Sequence, residues 1–161
     1  MSPSSTIAAI LLAMIVACPF PAAARGDADA AFDCYDALVS ARIVRQIPSA
    51  YSDCGDGCIT MSWPWFVDLD VRRVLDGALP NRKLSVLTIQ HTSFHAGVGS
   101  RRWLLRRNAL GGYNASTFFE PNEIRRCDAG TAPMKPYLLP AQGKSLADLR
   151  REGEVLYNSE R

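Results

Sequence analysis

Between residues 63 and 108 the chain alternates apolar and polar positions at the period of a β-strand. Trp65, Val67, Leu69 and Val71 fall on one face, and Asp68, Asp70 and Arg72 on the other. That is the pattern of a strand with one side against a core. Asp76-Gly77 and Pro80-Asn81 supply a turn. Two further β-rich runs, residues 84–90 and 101–108, come next, so the centre of the chain is expected to form an antiparallel meander. Upstream, Val39, Ala41, Ile43 and Ile47 share a face opposite Ser40, Arg42 and Gln46, which predicts a first strand. Residues 48–62 are rich in turn formers and read as a loop or strained hairpin. After a Gly111-Gly112 turn, residues 113–119 and 124–127 predict a fifth strand interrupted near Pro121, and proline inside a strand points to an edge or a bulge.

The pattern then changes. Residues 131–144 (TAPMKPYLLPAQGK) hold three prolines and no periodicity, and are expected to run irregularly over the surface. Ser145 followed by Asp148 is a helix-capping signal; Leu146, Leu149 and Arg150-Arg151 make a short helix, with Gly153 placed to end it. Five strands and one terminal helix predict an all-β fold: a small five-stranded Greek-key, OB-like barrel with a short C-terminal helix. Residues 25–161 form a single domain, with the barrel over about 34–130 and the irregular tail and helix over 131–161.

Residues 7–17 (IAAILLAMIVA) are an unbroken apolar run, short of the ~20 residues that cross a bilayer. Pro19 and Pro21 break the helix beyond it, and Ala22-Ala23-Ala24 offers small residues for a signal peptidase. Residues 1–24 are therefore expected to be a signal peptide, cleaved after Ala24, although MSPSST carries no Lys or Arg. Ile15-Val16-Ala17-Cys18 offers a second route, a lipobox whose Cys18 is lipidated and anchors the chain to a membrane. The expected location is secreted or periplasmic, with a membrane-anchored lipoprotein as the alternative and no transmembrane span.

Either route leaves Cys34, Cys54, Cys58 and Cys127 in the mature chain, and an oxidising compartment favours disulfides for an even set. Three connectivities are open. The preferred one joins Cys34 to Cys127, tying the start of the first strand to the end of the last, and Cys54 to Cys58 across CGDGC. CGDGC is not the Cys-x-x-Cys of a redox pair, and the spacings lack the paired knuckles of a zinc site.

Charge is nearly balanced: 18 Lys and Arg against 16 Asp and Glu give a net +2, which makes no general case for nucleic acid. His91 and His95 stand four apart, a metal-ligand spacing on a helix, but HTSFHAGVG reads as a loop and no Glu comes after His91. Asp68 and Asp70, about 7 Å apart on one strand face, would make a carboxylate pair, but such residues pair more often with nearby arginines. No catalytic residue and no cofactor is expected. Arginine doublets at 72-73, 101-102, 106-107, 125-126 and 150-151 are the unusual feature. On a strand, each doublet sends one side chain to each face. Trp63 and Trp65 with Arg72, Arg101 and Arg106 are the candidate ligand face, suited to single-stranded nucleic acid or an anionic polymer. Export argues against nucleic acid and leaves a protein or an anionic polymer outside the cytoplasm.

The succession ALVSARIV, FVDLDVRRVLDG, LSVLTI, RRWLLRRN and a closing RRC, spanning Cys34 to Cys127, resembles the netrin-module and tissue-inhibitor-of-metalloproteinase superfamily. In that family the second strand ends in a turn like Val74-Leu75-Asp76-Gly77. The resemblance implies a secreted, non-catalytic binding module of OB type. It carries one departure: metalloproteinase inhibitors of that family chelate zinc with a cysteine as first mature residue, whereas cleavage after Ala24 leaves Arg25 there, with Cys34 further in. The expectation is thus an exported binding module; the alternatives are an exported metal-dependent enzyme using His91 and His95, and a lipid-anchored envelope protein.

Overall fold

The computed structural model describes residues 32–50, 62–94, 99–117 and 124–159. Five strands, β1 (Ala37–Pro48), β2 (Trp63–Gly77), β3 (Lys83–Gln90), β4 (Arg101–Arg107) and β5 (Tyr113–Ser116), are followed by one helix, α1 (Leu146–Ser159). The strands close a barrel in the order β1-β2-β3-β5-β4, the expected all-β, OB-like architecture.

The alternation in β2 is what fills this barrel. Trp65, Val67, Leu69 and Val71 point inward and meet Val39 and Ala41 of β1, Val86 of β3, Trp103 and Leu105 of β4 and Ala115 of β5. All are at most 5 % exposed. Each large apolar side chain so buried stabilises the fold by about 1.5–3 kcal/mol before its loss of entropy is set against it. Gly77 ends β2 with φ at +81°, where a Cβ would lie 2.3 Å from the Asp36 carbonyl oxygen. The turn after β2 therefore requires glycine at that position.

The structure corrects four expectations. The centre is not a continuous meander: β4 does not pair with β3 but crosses to β1, from Ala37 opposite Leu105 to Ala41 opposite Arg101, and this closes the barrel. Alternation reports which face of a strand is buried and not which strand lies beside it. Ile47 does not share the face of Val39 and Ala41. A register shift between Ile43 and Arg45 leaves Val44 unpaired and exposed, so Ile47 turns outward onto Phe66 and Leu87. The fifth strand spans four residues and is no edge, since it pairs antiparallel with β4 and parallel with β3. Pro121 lies outside the described residues. Gly153 does not end α1 but sits buried within it, where the helix meets β1: a Cβ there would lie 2.2 Å from the Pro48 carbonyl oxygen.

Three fastenings hold the non-barrel segments. Cys34 and Cys127 form a disulfide across a separation of 93 residues. In the chain-entropy account such a loop contributes about 4.5 kcal/mol. Around it Tyr35 donates its N–H to the Arg125 carbonyl, accepts from the Cys127 N–H, and donates its hydroxyl to Asp76. Cys54 and Cys58 lie outside the described residues, as do Cys18 and the expected signal peptide. The tail is pinned by Asn114, which is fully buried. Its amide donates to the Lys135 carbonyl, and its Oδ1 accepts from Asn108 and from the Tyr137 N–H. The helix starts at a Ser145–Asp148 capping pair, as predicted. Its Leu146 and Leu149 pack on Ile47, Phe66 and Leu87 across the outer face of β1, β2 and β3.

Candidate functional site

The end of the barrel where β2 begins and β3 ends gathers a cluster of aromatic side chains. Trp63 and Trp65 stack with ring centroids 5.8 Å apart. Phe94, just past β3, closes this end: Gln46 holds its backbone at both N–H and carbonyl, and its ring meets the edge of Trp103. Arg101 lies over the same ring, 4.4 Å from its centroid. Gln46 reaches Phe94 because the irregularity at Val44 turns it inward. Beside Phe94, where β3 and β5 diverge after two paired residues, a cavity of about 40 Å³ is lined by Thr88, Trp103, Ala115, Thr117 and Tyr137, among others. That space holds two or three waters; pockets for organic ligands run to about 300–1,000 Å³. Burial pushes the Tyr137 phenol up to about 12, so it remains protonated at any physiological pH.

The candidate ligand-face residues do not share one surface. Trp65 is 5 % exposed and belongs to the core, and Trp63 packs against that core half-buried. Arg106 is 2 % exposed, 2.8 Å from Asp36, and donates to the Ala132 carbonyl, so it fastens the tail instead of facing a ligand. Arg101 serves the barrel mouth, and Arg72 alone of the five stands on the open outer sheet. His91 is exposed just beyond β3, while His95 lies outside the described residues. Among the described residues, no group of three or more His, Cys, Asp or Glu side chains is arranged to hold a metal. No helix among them is long and apolar enough to cross a membrane.

Asp68 and Asp70 are both held by arginine. Arg150 of α1 grips Asp68 with two 2.7 Å bonds, reaches Ser85 at 2.8 Å, and pairs with Glu154, which also meets Arg45. Burial alone raises the Asp68 carboxyl, but the Arg150 bonds and charge outweigh it and hold the group below the ordinary carboxylate value. Asp70 bridges Arg42 at 3.5 Å and Arg72 at 3.2 Å.

These contacts border a strip of charged side chains on the barrel's outer face. On the outer face of β2, β1 and β4, Ser40 is flanked by Arg73 on one strand and Arg102 on the other. One step along lie Arg42 and Asp70, with Lys83 beyond on β3. A register shift between Ser40 and Ala41 makes Arg72 an extra residue, so both members of its doublet face solvent. The strip ends at α1 on one side and, on the other, at the Cys34–Cys127 strap, where Asp76 is engaged by Tyr35 and Arg126. Sequence reasoning named Arg72 but missed Arg73, Arg102 and Arg42 as its neighbours. Arg42 was legible on the polar face of β1; choosing Arg102 over Arg101 required the β1–β4 register.

The chain matches no protein-family model, no curated protein and no solved structure.

Proposed function

We propose that this protein is an exported, non-catalytic binding module of OB type that recognises a macromolecular partner on the outside of its barrel. The observation that carries the reading is the filled interior: Trp103, Leu105, Val67 and their neighbours occupy the barrel, and the cavity at its mouth, about 40 Å³, is too small for an organic substrate. Recognition then falls to the outer surface. The apolar segment at residues 7–17 with Ala22-Ala23-Ala24 supports export, and so does the Cys34–Cys127 disulfide, since such bonds persist in oxidising compartments. The strand motifs that resemble the netrin and metalloproteinase-inhibitor group support the same class. Arg25 as first mature residue speaks against inhibition by an N-terminal cysteine.

The test pairs location with turnover. Protein recovered from the producing cells is sequenced at its N-terminus, and the purified mature chain is incubated with acidic and neutral polysaccharides whose lengths are then measured by gel filtration. The reading expects a start at Arg25, or at a lipidated Cys18, and polymers of unchanged length. Full-length protein retained in the cytosol, or a polymer shortened on incubation, would overturn it.

A further inference from the structure

In OB barrels the outer face of strands 2 and 3 is the usual seat for oligonucleotides and oligosaccharides. Here the chain covers that face itself: α1 lies on Phe66 and Leu87, and Arg150 locks onto Asp68 of β2 and Ser85 of β3. Among the described residues, the sheet left bare is the neighbouring strip of β2, β1 and β4, with Arg73, Ser40 and Arg102 in one row and Arg42 with Asp70 in the next. Resting on the proposal that recognition is external, we infer that this strip binds an anionic polysaccharide.

Three observations carry the inference. First, Arg73 and Arg102 pair with no acid among the described residues, although most other charges on this side do. Both are exposed. Second, the spacing suits a chain of repeated charges. Two strand separations place the Arg73 and Arg102 backbones about 10 Å apart, and Arg42 lies about 7 Å further along β1. Asp70 forms ion pairs with both Arg42 and Arg72, and each guanidinium carries further N–H groups able to bind. Guanidinium forks match sulfate and carboxylate oxygens in pairs. Third, the strip is bounded at both ends: α1 meets it through the Arg45–Glu154 pair and the disulfide strap through the Asp76–Arg126 pair. A linear polymer can follow the row of arginines across the three strands between those two segments.

The experiment measures binding of the purified mature protein to dextran sulfate, uncharged dextran and anionic phospholipid vesicles. Two variants of equal charge are compared: Arg73→Ser with Arg102→Ser, and Lys144→Ser with Arg151→Ser on the exposed start of α1. Circular dichroism confirms that each is folded. The expected result is salt-sensitive binding to dextran sulfate alone, weakened about 10-fold or more by the strip variant and less than about 2-fold by the helix variant. Equal losses in both variants would reduce the effect to net charge and overturn the strip. Binding to vesicles but not to dextran sulfate would replace the polymer with a membrane surface, and binding to neither would end the inference. Retention on uncharged dextran, unaffected by the strip variant, would sink the strip while leaving the external-binding module intact. A shortened polymer would remove that module reading itself.

Discussion

Gly153→Ala is the substitution for which helix propensity and this fold predict opposite signs. In an exposed helix interior, replacing glycine by alanine stabilises by about 1 kcal/mol. Gly153, however, lies where α1 crosses the end of β1, and its missing Cβ would stand 2.2 Å from the Pro48 carbonyl oxygen and 3.3 Å from Ile47 Cγ2. A carbon and an oxygen need about 3.2 Å or more, so the helix must lift by about 1 Å. Pro48 is backbone and cannot rotate away. Lifting the helix loosens Leu146 and Leu149 on Phe66 and Leu87, and stretches the two 2.7 Å Arg150–Asp68 bonds. Overpacking of this kind costs about 1–3 kcal/mol beyond the propensity gain it cancels. For a domain of this size that lowers Tm by about 4–10 °C. Thermal unfolding followed by circular dichroism reads the shift, with Ala147→Gly, at an exposed position of the same helix, as the propensity control expected to cost about 1 kcal/mol. A Gly153→Ala protein with a raised Tm would show that α1 does not dock on β1 as described.

Other consequences are equally open to measurement. Leu69→Ala empties volume from the centre of the core, where Leu69 is 1 % exposed, and should cost about 2–5 kcal/mol in urea unfolding; a loss below about 1 kcal/mol would mean that the inner and outer faces of β2 are exchanged. Asp68 is depressed in the folded state, so its contribution is complete above the unfolded carboxylate value near 4 and disappears as pH falls through the lower folded value. Urea midpoints of the wild-type protein should therefore drop more steeply than those of Asp68→Asn as the pH falls below about 4, and parallel curves would refute the Arg150 pairing. Asn114→Ala strands the Lys135 carbonyl and the Tyr137 N–H and should cost about 2–4 kcal/mol by the same assay, while a tryptic map from a glycosylating host should show the Asn114-Ala115-Ser116 acceptor unmodified in folded protein.

The strands were legible because a half-buried strand writes its faces into every second residue. Trp65, Val67, Leu69 and Val71 announced β2 and its inner face, and Ser145 with Asp148 announced the start of α1. What stayed illegible depended on partners distant in sequence. Nothing local to residues 101–107 says that they pair with β1 instead of β3, and so nothing local says that Arg102 faces solvent while Arg101 covers Phe94. Two of the three register shifts between β1 and β2 had the same effect on a smaller scale, turning Ile47 outward and exposing both Arg72 and Arg73. Gly153 misled because glycine marks helix ends by its conformational freedom and close helix contacts by its missing side chain, and sequence does not separate the two. Arg106 misled likewise: a buried arginine paired to Asp36 has the same letter as an exposed one.

The claim that recognition lies on the outer strip and not at the barrel mouth is tested most directly by mapping amide chemical shifts while a short dextran sulfate oligomer is titrated into isotope-labelled protein. The account predicts that the moving resonances cluster at residues 40–42, 70–73 and 102, with β5 and the tail unchanged. Shifts centred instead on Thr88, Phe94, Trp103 and Thr117 would place the ligand in the mouth of the barrel and contradict it.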